Sequence, residues 1–317
     1  MIKLRKLGVT ALAGSLVATS AYAGALSVSG GASVKYVSVD ETEVTGQPFS
    51  TGKGITFSGS GDMDNGWTMN YSYTMSDAAF SSSYITMDMG SAGTLGFYNS
   101  SGATGISAFD DTNPTAGEEV WDDLDGQANG IATITNDGTW GYKNSFGAAD
   151  ISASFNRNGA NEAGGEANAQ AESSKSLVLS SSSLVDGLLL GIGIGDKSGS
   201  SATNGVDQTV AFAKWTTGAL TLGAHMTNLD NAGSTADVER RGIGISFAVN
   251  EDLSVSYGRS EVDFGTSSKT DQEDSGIAIS YTMGSITLAA FANDSDSVGG
   301  TSGTDDTVKE VSLAFAF

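Results

Sequence analysis

The residues in this chain best suited to chemistry are carboxylates, and they bunch. Asp110, Asp111, Glu118, Glu119, Asp122, Asp123 and Asp125 all fall in one segment, 100–138. At that density carboxylates can hold a hard cation, act as acid–base pairs, or set the potential of a surface or passage. The run Asp122-Asp123-Leu124-Asp125-Gly126 is a candidate calcium site, because Ca²⁺ takes several carboxylate oxygens. It lacks the spacing of an EF-hand, and a solvated acidic run accounts for it equally. Acid–base catalysis has little else to draw on. His225 is the one histidine, cysteine is absent, and neither HExxH nor a Gly-rich phosphate loop opening a helix occurs. The chain is therefore not expected to be an enzyme, and it needs no cofactor beyond that candidate calcium.

Charge narrows the partners. There are 37 acidic against 15 basic residues, a net −22, which excludes the clustered cations of a nucleic-acid binder. Three of those cations, Lys3, Arg5 and Lys6, precede an apolar stretch over 7–18 and the small-x-small sequence Ala21-Tyr22-Ala23. This is the pattern of a cleaved secretory signal peptide over 1–23, too short as a helix to span a bilayer, leaving a single domain over 24–317. No later segment has the ~18 consecutive apolar residues of a transmembrane helix.

The elements that must position the acids read as strands. In Trp67-Thr-Met69-Asn-Tyr71-Ser-Tyr73-Thr-Met75 every odd residue is aromatic or Met and every even one small and polar. A period of two is a strand with one apolar and one polar face. The preceding Asp64-Asn65-Gly66 predicts a type I′ hairpin turn. The unit recurs at 243–257, 277–290, 206–226 and 177–194, and the chain ends on Val311-Ser-Leu313-Ala-Phe315-Ala-Phe317. Long polar loops over 40–51, 76–82, 100–138, 158–173, 196–205, 228–237, 262–274 and 294–306 alternate with tight turns. Eight loops and seven turns join sixteen strands, so the first strand (26–39) can pair with the last (306–317) in a closed, antiparallel barrel. Segment 131–135 also alternates, but a further strand would break the parity, so it is assigned to the long loop. The polar faces are Ser, Thr, Gly and Asn with few charges. A barrel of this size cannot fill its interior with side chains, so the polar face lines water and the apolar face meets lipid. Strand phase then turns Lys35, Lys143, Arg240 and His225 inward, and the terminal Phe317 outward at the barrel's end.

The signal peptide, the sixteen-strand pattern, the long acidic loop and the terminal Phe317 together resemble the general porins of Gram-negative outer membranes, of the alphaproteobacterial type. That resemblance implies a 16-stranded antiparallel transmembrane β-barrel in the outer membrane, with its third loop folded into the lumen as a constriction. It also implies a homotrimer, latched by the second loop (76–82), and passive diffusion of small hydrophilic solutes and ions. Phe317 would be the signal offered to the barrel-assembly machinery. The loop acids would face the inward cations across the constriction, and their excess would favour cations. Gly30 and Ala32, small and outward, are candidates for the subunit interface. The competing readings are an adhesin-like barrel and an autotransporter-type translocation domain. An outer-membrane hydrolase would need its histidine on the lipid face, and phase puts His225 on the other.

Overall fold

The computed structural model describes residues 26–39, 47–77, 79–99, 104–109, 112–125, 138–157, 173–198, 205–233 and 236–317. The segment 1–23, Asp110, Asp111 and residues 131–135 lie outside these. Sixteen strands follow in chain order: β1 (Ser27–Ser38), β2 (Phe49–Asp62), β3 (Thr68–Ser76), β4 (Ala79–Asp88), β5 (Thr94–Asn99), β6 (Thr139–Phe146), β7 (Ala149–Arg157), β8 (Ser173–Ser181), β9 (Leu188–Lys197), β10 (Val206–Thr217), β11 (Leu220–Asn231), β12 (Val238–Ala248), β13 (Leu253–Asp263), β14 (Gln272–Met283), β15 (Ile286–Asp296) and β16 (Asp306–Ala316). Each pairs antiparallel with its sequence neighbours, and β1 closes on β16 with Val34 opposite Leu313. Closure satisfies every strand edge within the wall, the condition for crossing hydrocarbon with β structure. β5 pairs directly with β6 (Phe97 opposite Trp140), so the wall needs no strand from the loop between them.

The two faces separate as the alternation predicts. On β12, Ile243, Ile245 and Phe247 point out while Gly242 and Gly244 point in. Ile192, Ile194 and Ile277 are 63%, 61% and 60% exposed on a continuous apolar exterior, which no water-facing surface sustains. That exterior meets lipid. Among the described residues no helix is long and apolar enough to cross a membrane; the strands do so.

Two local expectations are corrected. At the first hairpin only Gly66 has positive φ (83°), Gly66 N–H donates to Met63 O, and Asn65 Oδ1 accepts from Trp67 N. This is a type I turn closed by a left-handed glycine rather than a type I′ turn, which needs positive φ at both centres. The asparagine uses its side chain as the turn acceptor instead. The second correction concerns the loop over 76–82. β3 ends at Ser76 and β4 begins at Ala79, so only residues 77–78 link them, and a link that short cannot reach over a neighbouring subunit. The alternation continues through a bulge that sets Met75 opposite Phe80, which masked the strand in the sequence. The wall is consequently low here: β5 and β6 have 6 and 8 residues, against 12 in β10 and β11.

Candidate functional site

The described parts of the long third loop, 104–109 and 112–125, lie inside the barrel, and their path is drawn by glycines on the wall. Thr104 sits over Gly141, where an added Cβ would come within 2.1 Å of the Thr104 hydroxyl oxygen. Gly105 N donates to Ser152 Oγ (2.9 Å) and Ile106 N to Ser176 Oγ (3.0 Å). Ile106 is then buried among Val178, Val210 and Phe212, with Phe109 stacked on Phe212 at 4.8 Å. Further along, Pro114 rests on Gly223 and Gly244, and Ala116 N donates to Ser256 Oγ (2.8 Å). Val120 packs over Gly258 and joins Trp121, Val262 and Phe264 in a second apolar cluster. Leu124 meets a third cluster, of Ala278, Phe291 and Val308. Asn293 Nδ2 donates to Glu119 O (2.9 Å), and Asp125 N donates to Asp306 Oδ2 (2.7 Å). The described parts of the loop therefore line the inner face from β6 to β16 on three apolar anchors joined by hydrogen bonds, leaving β2 to β5 as the uncovered wall.

The acids take different places. Glu119 is buried, 7% exposed, and Asp122 accepts Glu119 N through Oδ2 (2.7 Å), pinning the loop's own turn. Glu118, Asp123 and Asp125 are exposed. Partial burial pushes the Glu118 carboxyl up from the usual range, the Asp122 charge adds to this, and Lys35 opposes it. Among the described residues no three acidic or histidine side chains converge to hold a metal, so Asp122, Asp123 and Asp125 do not gather around a common point.

All four cations point inward, but they do not form a strip facing the acids. Lys35 stands beside the loop, pairs with Glu310 at 3.0 Å, and has Glu118 and Asp123 as further charged neighbours. His225 is 4% exposed, edge-on to Trp121 at 5.4 Å, and neither ring nitrogen meets a partner among the described residues. Arg240, 5% exposed, is buried on the wall behind the loop. Lys143 lies on the side of the short turns, lining a cavity with Phe109. Phase decided the face of each residue but not what covers it. Lys214, in register with the inward Phe212 and Val210, is an inward cation the sequence reading passed over. The inward faces of β2 to β5 carry no cation and offer hydroxyls instead, such as Thr56 and Thr74, whose oxygens are 3.0 Å apart.

At the seam, Phe317 exchanges two backbone hydrogen bonds with Gly30, both 2.9 Å. Its ring lies over the glycine, where a Cβ would come within 2.9 Å of Phe317 Cζ. Gly30 has room for no side chain, since a Cβ would meet Gly54 O at 2.7 Å as well as the terminal ring.

A sequence profile described as Gram-negative porin matches residues 8–316. Among solved structures, a porin refined at 1.8 Å resolution aligns with 92% of this chain over 100% of its own, at 17% identity and a TM-score of 0.72. OmpT of Vibrio cholerae aligns with 93% of the chain over 98% of its own, at 10% identity and a TM-score of 0.66. An anion-selective porin from Comamonas acidovorans aligns with 93% over 100%, at 12% identity and a TM-score of 0.65. At such identities the structures share a fold. No curated protein matches the sequence.

Proposed function

The chain belongs to the Gram-negative porin family, and from that footing we propose that its outer-membrane barrel passes small hydrophilic solutes and ions by passive diffusion, with a mild preference for cations. The observation that carries the preference is an imbalance at the constriction. Glu118 and Asp123 are exposed on the loop, Lys35 is matched by Glu310, and the uncovered wall of β2 to β5 answers them with hydroxyls and, near the short turns, with Asp62 and Asp88, but with no cation. A passage lined by one sign of charge between low-dielectric walls concentrates counter-ions, so cations enter more readily than anions. Hydroxyl groups opposite the acids keep the passage wet for neutral polar solutes while apolar ones are disfavoured.

The outer face of β1 to β4 supports a homotrimer with this sector at its contacts. Lys53 points outward beside Ala32, near the middle of β1, and pairs with Asp77 at 3.1 Å. A lysine facing lipid costs from about 0–1 kcal/mol near the interface to roughly 2–4 kcal/mol at the midplane, a cost avoided where a second copy covers the pair. Segment 1–23 is assigned as the export signal. Liposome swelling tests the channel: sugars of increasing size should enter at falling rates, and liposomes that shrink and stay shrunken in every sugar would refute it.

A further inference from the structure

Beneath the first limb of the loop, on the side of the short turns, lies a cavity of about 700 Å³. Phe109 and Ala108 of the loop form one side, and Thr94, Lys143, Asp150, Ser152 and Ser180 of the wall form others. Lys143 pairs in register with Ser152, and Ser145 with Asp150, so Lys143 and Asp150 are diagonal neighbours on one face. Their Cα atoms are then separated by roughly 7–8 Å. Opposite charges at that separation ordinarily close into an ion pair, and these two do not. Asp150 is held instead by Ser145 Oγ at 2.5 Å, which keeps one carboxylate oxygen turned aside from the lysine.

We infer that this cavity is a binding subsite for zwitterionic solutes of amino-acid size. The solute's carboxylate meets Lys143 and its ammonium meets Asp150. A bridging zwitterion makes a charge-assisted hydrogen bond at each end, carboxylate to lysine and ammonium to aspartate. The Thr94, Ser152 and Ser180 hydroxyls serve a polar side chain, and Phe109 covers its aliphatic part. This rests on the porin reading and names a solute class for the same passage. A simple anion would use Lys143 alone, and a simple cation Asp150 alone.

The test is single-channel current noise with glutamine added on the side of the short turns, against a neutral polyol of similar size and against acetate. Glutamine should produce saturable noise that the polyol and acetate do not. K143M and D150N should each weaken the apparent binding about tenfold or more, as loss of a charge-assisted contact does, while K143R should retain it. Equal behaviour of glutamine and polyol in an open channel overturns the subsite alone. Noise from acetate that survives D150N reduces it to an anion site and overturns the zwitterion assignment. Absence of any channel overturns the porin reading, and this one with it. Heat-modifiable migration of each variant confirms that it has folded.

Discussion

In the proposed channel Glu118 and Asp123 set the charge of the opening: both are exposed, the inward faces of β2 to β5 carry no cation, and Lys35, the cation at their side, is held by Glu310. Replacing Glu118→Gln and Asp123→Asn together should move the reversal potential in a KCl gradient towards zero. An unchanged potential would place both outside the conduction path. Asp122→Asn should act on seating more than on selectivity, because its carboxylate is spent on Glu119 N. The pH dependence follows from Glu118. Its carboxyl lies above the ordinary range through burial first and Asp122 second, so it takes up a proton earlier as pH falls. Cation preference should decline on acidification before the ordinary carboxylate range is reached, and Glu118→Gln should remove that early part. Strand phase made the inward direction of Lys35, Lys143, His225 and Arg240 legible in the sequence. What lies over each was not, because alternation carries no information about a loop arriving from elsewhere in the chain. Inward glycines at 223, 242, 244 and 258 were the available signal, since a wall without side chains is where another backbone can lie close.

At the scale of elements, the third loop is a strap seated on three apolar anchors, and its grip depends on Trp121 against His225 and on Ile106 under Phe109. Trp121→Ala removes a buried aromatic, a change worth up to about 3–5 kcal/mol in a packed core. The expected result is a noisier and larger single-channel conductance; an unchanged trace would mean that the anchor does not hold the loop. The closing seam is a second element with a defined joint. Deleting Phe317, or replacing Gly30→Val so that its ring cannot settle, should lower the yield of folded barrel while leaving the conductance of the folded fraction intact. Normal yield for both would remove the joint from assembly. The terminal strand and its partner were readable from alternation and parity. The Gly30 joint was not, because it depends on where a ring folds back across the seam. The short link at 77–78 escaped for a related reason: the bulge at Met75 shifts the period in the stretch where a loop was expected.

The whole molecule is a closed wall with one low sector, an apolar exterior and a strap along the inner face from β6 to β16. The sixteen strands were legible because tight turns and long loops alternate, and only an even count brings both ends to one side. The low sector was hidden, since strand height depends on pairing length rather than on composition. If the outer face of β1 to β4 is covered by other copies, unheated protein should migrate as a detergent-resistant oligomer and Lys53→Glu should weaken it by placing a repelling pair with Asp77 at the contact; unheated protein that migrates as a monomer would contradict the assignment. The channel proposed for this protein is an open, water-filled passage whose constriction is acidic. A planar-bilayer recording of the purified protein across a KCl gradient tests this most directly. Stepwise conductance with a reversal potential on the potassium side is expected. A silent bilayer, or a reversal potential on the chloride side, would contradict it.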